Sequence, residues 1–334
     1  MTREGSTVSS DGTALVSWHG TTPGPPVLVC GAIGAPAQAW PTLTGPDAGV
    51  HALGWHYRGT FGSARPTDPS RIALADHVAD AQAVLDAAGV DSASVIGWSS
   101  GATVAAELAR SAPERVNGLM LIAGPPGDLL ATIRGPWGAV VDLVAGLTSG
   151  GPGPGPFRGG GLVKGVMSGG LDVLRLAAPL LAAGLPRLPP RPLGQLLRHS
   201  GLLLPAGDPA LLAEVLRPFL RLDWAYYSEL LRAVGSVPPL DIAGLRCPVT
   251  ALVGRYDVVS DARALTESLG RLPQARVRIL PTSHFIPLED PAEVAAETLL
   301  LVERAAAVRR ALDDESDRAA DDSGPLTHRS RPGA

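Results

Sequence analysis

In Val95-Ile96-Gly97-Trp98-Ser99-Ser100-Gly101, an apolar run that begins at Ala93 enters a Gly-x-Ser-x-Gly pentapeptide. A helix-forming run, Ala102 to Arg110, leaves it. This is the sequence form of a nucleophile elbow, a strand turned sharply into a helix with a serine at the bend. The neighbours of such a serine must be very small. Gly97 and Gly101 meet that need because glycine has no Cβ to clash. The turn lifts the Ser99 hydroxyl above the carboxyl end of a strand. The following helix aims backbone N–H groups and the positive end of its dipole at the same point.

Outward from the elbow, short apolar strands alternate with helices. Val8 to Val16 reads as a β-hairpin about Asp11-Gly12, and Pro26 to Cys30 as a strand entering the loop Gly31-Ala32-Ile33-Gly34. Val50 to Trp55 reads as a strand, Ile72 to Ala88 as an amphipathic helix, and Val116 to Ala123 as a further strand. This alternation predicts a mostly parallel sheet covered on both faces. It stops at Gly124. Between 125 and 240 lie apolar helical pieces, Leu171 to Leu185 and Pro209 to Val234, and a Gly/Pro-rich loop, Ser149 to Gly161. It resumes with a strand, Pro248 to Val253, a helix near Ala262 to Gly270, a strand, Arg276 to Leu280, and a helix, Pro291 to about Leu312. The organisation expected is a core of 1–124 and 241–312, an inserted helical cap of 125–240, and a charged, disordered tail of 313–334. An insertion at that point sits above the carboxyl ends of the strands, where open α/β sheets bind ligands.

Composition narrows the function class. The chain has 334 residues, 45% hydrophobic, with a net charge of −4, enough apolar residues for a sizeable core and no basic excess for nucleic acid. The two cysteines, Cys30 and Cys247, stand in unrelated contexts and suggest neither a disulfide framework nor a metal site. No apolar signal core opens the chain, and no uncharged apolar run reaches the length of a membrane span. The expectation is a soluble, cytoplasmic protein without cofactor or metal, acting on a small molecule.

A serine hydroxyl needs a base to become a nucleophile, and that base is commonly a histidine oriented by a carboxylate. Val249 to Asp257 is a strand ending in a glycine turn and an aspartate. Ile279 to His284 is a strand ending in a loop and a histidine. A parallel sheet sends both loops out on the edge where the elbow lies. Asp261 suits the cap of the next helix, which leaves Asp257 for the histidine. Asp128, soon after the strand ending at Ala123, is a rival acid.

With these stretches in view, the chain resembles the α/β-hydrolase-fold serine hydrolases. The likeness rests on Gly31-Ala32-Ile33-Gly34, Tyr57-Arg58-Gly59, Gly97-Trp98-Ser99-Ser100-Gly101, Leu252 to Asp257, and Ser283 to Pro291. The order Ser99, Asp257, His284 is that family's order. The resemblance implies Ser99 as nucleophile, His284 as general base and then acid, and Asp257 as orienting carboxylate. It implies an oxyanion hole from the backbone N–H groups of Ala32 and Ser100. Two departures stand out: Cys30 precedes Gly31 where the family often has histidine, and His56 precedes Tyr57-Arg58-Gly59 where it often has aspartate. His56 is expected to be structural, and Cys30 a small buried apolar residue.

Trp98, Ile33 and Phe285 are candidates for a substrate pocket. Trp224, Tyr226 and Tyr227 are aromatics of the cap whose spacing also fits plain core packing. The leading functional expectation is a hydrolase of an ester, thioester or related carbonyl substrate with an apolar part. One alternative keeps the same three residues for carbon–carbon bond hydrolysis or cofactor-free perhydrolysis. Another is a ligand-binding protein of this fold with no turnover. The apolar cap also admits a lipase working at a membrane surface.

Overall fold

The computed structural model describes residues 2–132, 203–204 and 207–322. The strands are β1 (Arg3–Val8), β2 (Ala14–His19), β3 (Pro26–Cys30), β4 (His51–Trp55), β5 (Ala93–Trp98), β6 (Val116–Ile122), β7 (Val249–Gly254) and β8 (Ala275–Leu280). The longer helices are α1 (Leu74–Ala87), α2 (Ser100–Ser111), α3 (Pro209–Phe219), α4 (Trp224–Gly235), α5 (Ala262–Leu269) and α6 (Pro291–Asp322). Single helical turns occur at Pro41–Thr44, Leu129–Thr132 and Ile286–Glu289.

The strands form one sheet in the order β1-β2-β4-β3-β5-β6-β7-β8. The hairpin β1-β2 is antiparallel and joins β4 antiparallel; every pairing from β4 to β8 is parallel. β5 is buried at every position, as a parallel strand covered on both faces must be. Its side chains alternate between two cores. Val95 joins the cluster beneath α1 and α2 with Leu85 and Leu108, while Ile96 joins the opposite cluster with Trp40, Leu43 and Leu301 of α6. Small residues on α2, Ala102, Ala105 and Ala109, let that helix lie close to the sheet.

The hairpin about Asp11-Gly12 is longer than read, its strands reaching back to Arg3 and on to His19, and the later strand and helix expectations hold to within a residue or two, with informative exceptions. α1 starts at Leu74 rather than Ile72, because the Asp76 carboxylate accepts the Ala73 N–H and fixes the first turn there. The run Pro209 to Val234 is two helices. The first ends at Phe219, one residue past Pro218, and the Asp223 carboxylate accepts the N–H groups of Ala225 and Tyr226 to start the second. The last helix runs on to Asp322, so the first ten residues of the expected disordered tail are helical. Residues 313–322 hold no glycine or proline to break the helix that enters them; the first breaker is Gly324-Pro325. The rest of that tail, the expected helix Leu171 to Leu185 and the loop Ser149 to Gly161 lie outside the described residues.

Candidate active site

The parallel register delivers the carboxyl ends of β3, β5, β6, β7 and β8 to one edge of the sheet. At the end of β5 the chain bends through Ser99, which has φ 55° and ψ −120°. A positive φ at a residue with a Cβ costs on the order of 1–3 kcal/mol and is held only where its surroundings enforce it. Those surroundings are visible. The Ser99 N–H donates to Ile122 O at 2.9 Å, and a side chain at Gly124 would press into the Ser99 backbone. A Cβ at Gly97 would lie 2.6 Å from Ala102 Cα, and one at Gly101 would overlap the Cys30 carbonyl. Both glycines are needed for close approach; neither is among the glycines with positive φ.

Three side chains meet above the elbow. His284 Nε2 lies 2.9 Å from Ser99 Oγ, and His284 Nδ1 lies 3.0 Å from Asp257 Oδ2. With Asp257 ionised, Nδ1 carries the proton and Nε2 is left to accept from the serine. Ser99 is half-buried, while His284 is 5% exposed. Asp257 Oδ1 accepts the N–H groups of Val259 and Ser260, both at 2.8 Å. Burial pushes the Asp257 carboxyl upward, but the His284 and Ser260 hydrogen bonds outweigh it and hold it below the usual carboxylate range. Asp261 caps α5 by accepting the Arg263 N–H. Asp128 follows Gly127 with φ 52°, its N–H on Val237 O, and it is Asp257 that meets the histidine.

The loop after β3 is fixed from several sides. Ser100 Oγ accepts the Ile33 N–H at 2.9 Å, and Tyr57 donates its hydroxyl to Gly31 O at 3.0 Å. The Ile33 N–H is therefore committed. Gly34, at φ 88°, packs beneath Phe219 and Tyr227, where an added Cβ would come within 3.0 Å of both rings. Phe219, Trp224 and Tyr227 pack edge to face on one another, so α3 and α4 set an aromatic cluster against this loop.

The departures noted in the sequence have structural answers. His56 Nε2 accepts the Ala37 N–H at 3.3 Å, which puts the proton on Nδ1, where it reaches Phe61 O at 3.2 Å. Burial lowers its pKa, so a neutral imidazole braces two loops. Cys30 is fully buried at the end of β3, and burial pushes its thiol pKa up. Arg58 is also fully buried; it makes a two-pronged contact with Asp80 and a further pair with Asp11. The next residue, Gly59, has φ 70°, and a side chain there would overlap the Tyr226 ring.

Of the pocket candidates, Trp98 is 3% exposed and Ile33 4%, while Phe285 is half-buried. Trp98 does more than fill space: its Nε1–H donates to His284 O at 3.0 Å. Two supporting residues carry no role in the sequence reading. Ser260 Oγ lies 2.7 Å from Asp257 Oδ2, a contact suggested only by the short spacing Asp-x-x-Ser after a strand. The Glu289 carboxylate accepts the Ser283 N–H and hydroxyl and the Leu204 N–H. Among the described residues, no group of three His, Cys, Asp or Glu is placed to hold a metal ion, and no helix is long and apolar enough to cross a membrane.

Residues 25–149 match the family model for the alpha/beta hydrolase fold. A protein named "Putative carbamate hydrolase RutD" from Azorhizobium caulinodans is 36% identical over 107 residues, 32% of this chain; the match spans only 39% of that protein's length. The esterase RhEst1 from Rhodococcus sp. ECU1013 superposes with a TM-score of 0.62 at 20% identity, over 90% of this chain and 98% of its own. The enol-lactonase from Burkholderia xenovorans LB400 superposes with a TM-score of 0.60 at 18% identity, over 90% of this chain and 100% of its own. Strand order, elbow and likeness to these proteins point the same way: the chain has the α/β-hydrolase fold.

Proposed function

We propose that this protein is a serine hydrolase that cleaves an ester, thioester or related carbonyl substrate through an acyl-enzyme on Ser99. The observation that carries this reading is the hydrogen-bonded chain from Ser99 Oγ through His284 to Asp257, at 2.9 and 3.0 Å. His284 Nε2 takes the Ser99 proton as Oγ attacks the carbonyl carbon. The imidazolium is stabilised by Asp257 and returns the proton to the leaving group. Water, deprotonated by the same imidazole, then releases the acid. The N–H groups of Ala32 and Ser100 are the proposed donors to the oxyanion, each worth about 3 kcal/mol in such sites. The Ile33 N–H, already held by Ser100 Oγ, leaves that role to its neighbour.

A substrate with an apolar part fits the half-buried Phe285 ring beside the His284 imidazole and the cluster of Phe219, Trp224 and Tyr227 over the loop after β3. The relatives named for carbamate, ester and enol-lactone hydrolysis act at carbonyl carbons, which supports the same reaction class.

A fluorophosphonate probe tests the proposal. The wild type is expected to label covalently and Ser99→Ala not at all. An unlabelled wild type would sink it in favour of a binding protein. A panel of aryl esters of increasing acyl length then tests the apolar part, with medium or long chains expected to turn over faster than acetate. Fastest turnover of small polar esters would count against it.

A further inference from the structure

Ser260 lies just after β7, in the turn that carries Asp257, and is 4% exposed. Its Oγ reaches groups from three separate segments: Asp257 Oδ2 at 2.7 Å, Ala123 O beyond the end of β6 at 3.1 Å, and His284 Nδ1 at 3.4 Å. A hydroxyl has one proton to give. The carboxylate is both nearer and charged, so it takes the proton, with the Ala123 carbonyl as a weaker second acceptor. His284 Nδ1, 3.4 Å from this hydroxyl, has its nearer acceptor in Asp257 Oδ2 at 3.0 Å.

We propose that Ser260 is a positioning residue for the Asp257–His284 pair, completing the set of donors that fixes the carboxylate in the plane of the imidazole. The inference rests on the hydrolase reading of the site. A carboxylate offers about four acceptor directions. Oδ1 receives the N–H groups of Val259 and Ser260, and Oδ2 receives the His284 Nδ1–H and the Ser260 hydroxyl. With all four filled, the group has no reason to turn about its Cβ–Cγ bond. The contact to Ala123 O ties this arrangement to β6, whose Ile122 carbonyl holds the Ser99 N–H. One hydroxyl thus refers the acid and base to the strand that also seats the nucleophile.

The role has a consequence that packing alone would not produce. The charged group in contact with the imidazole is Asp257; Glu289 lies behind Ser283 and is occupied there, and Trp98 and Phe285 supply uncharged faces. Ser260→Ala removes a donor from Oδ2 and leaves that oxygen more basic. It then grips the imidazolium more strongly, which moves the acid limb of the labelling rate to higher pH.

The experiment measures fluorophosphonate labelling against probe concentration and pH for wild type, Ser260→Ala and Ser260→Thr. Ser260→Ala should label about tenfold more slowly at saturating probe, the size of effect that one hydrogen bond to a charged group confers. Its half-saturating concentration should be unchanged and its acid limb moved to higher pH. Ser260→Thr should restore rate and limb. The far-downfield proton resonance of His284 Nδ1–H is recorded alongside and should move in Ser260→Ala and return in Ser260→Thr. An unlabelled wild type overturns the hydrolase reading. A resonance unmoved by Ser260→Ala overturns the role of Ser260 whether or not the protein labels. So does a slower Ser260→Ala whose acid limb stays in place.

Discussion

Trp98 Nε1–H donates to the backbone carbonyl of His284 at 3.0 Å, so the residue beside Ser99 also holds the backbone of His284. The indole is wedged edge to face between Trp40 and Phe285 at centroid distances of 5.9 and 6.2 Å. Two loops separated by 185 positions in sequence are thereby tied at the point where their side chains meet. Trp98→Phe keeps most of the packing and deletes the donor. Leaving a buried carbonyl unpaired costs about 1–3 kcal/mol. Chemical denaturation should show a loss of that order, and turnover should fall severalfold with KM nearly unchanged. A variant as stable and as fast as wild type would remove the link from the mechanism.

Asp257 stays ionised well into the acid range, because hydrogen bonds from His284 and Ser260 outweigh the cost of its burial. Asp257→Asn replaces the acceptor facing Nδ1 with an amide and favours the wrong imidazole tautomer. The expected result is a loss of about three to four orders of magnitude in kcat with folding intact. The wild-type acid limb of kcat/KM should then not belong to this carboxylate. A pH profile of the wild type, read beside probe labelling of the variant, checks both statements.

The sequence made much of this arrangement legible. Ser99, Asp257 and His284 each follow a strand, apolar before the first two and alternating before the third, and a parallel sheet leaves the ends of such strands on one edge, so local signals sufficed to place them together. What was not legible depends on contacts between distant segments. Nothing in Gly97-Trp98-Ser99 says that the indole will turn toward the histidine loop instead of a pocket. Glu289 belongs to a recognisable stretch, but its acceptance of Leu204 N–H spans 85 positions, and no periodicity encodes that. The helix end at Asp322 was missed for another reason. A charged run poor in large apolar residues reads as disorder, yet it continues a helix already nucleated upstream.

The Tyr57-Arg58-Gly59 stretch makes an acid-sensitive brace. Burial pushes the Asp11 carboxyl up, but hydrogen bonds from Thr13 and Arg58 prevail and hold it down to about 2, against an ordinary 3.8. Asp80, on the other prong of Arg58, is lowered as well, its own burial being outweighed by Arg58, His77 and Ser9. A carboxyl with a depressed folded-state pKa contributes stability that is complete above its unfolded value. That contribution is lost as pH falls through the folded value. For Asp11 the window runs from about pH 4 down to about 2. Asp11→Asn should be less stable than wild type at neutral pH, and the gap should close across that window. Urea midpoints measured every half unit of pH would show it; a constant gap would mean that the charge is not involved.

Glu289 joins the histidine loop to the segment leading into α3. Its carboxylate accepts the Ser283 N–H at 2.7 Å, the Ser283 hydroxyl at 2.6 Å and the Leu204 N–H at 2.7 Å. Ser283 is fully buried and immediately precedes His284, so loss of this acceptor strands buried donors beside His284. Glu289→Ala should cost about 2–4 kcal/mol of stability, since donors to a charged acceptor are left unpaired. Glu289→Gln, which keeps one good acceptor, should lose less. The two variants also separate the two attachments. If the carboxylate serves only the histidine loop, proteolysis of the segment around Leu204 should be unchanged. If it holds both, Glu289→Ala should expose that segment to cleavage and slow fluorophosphonate labelling of Ser99 together, and Glu289→Gln should fall between wild type and Glu289→Ala on both measurements.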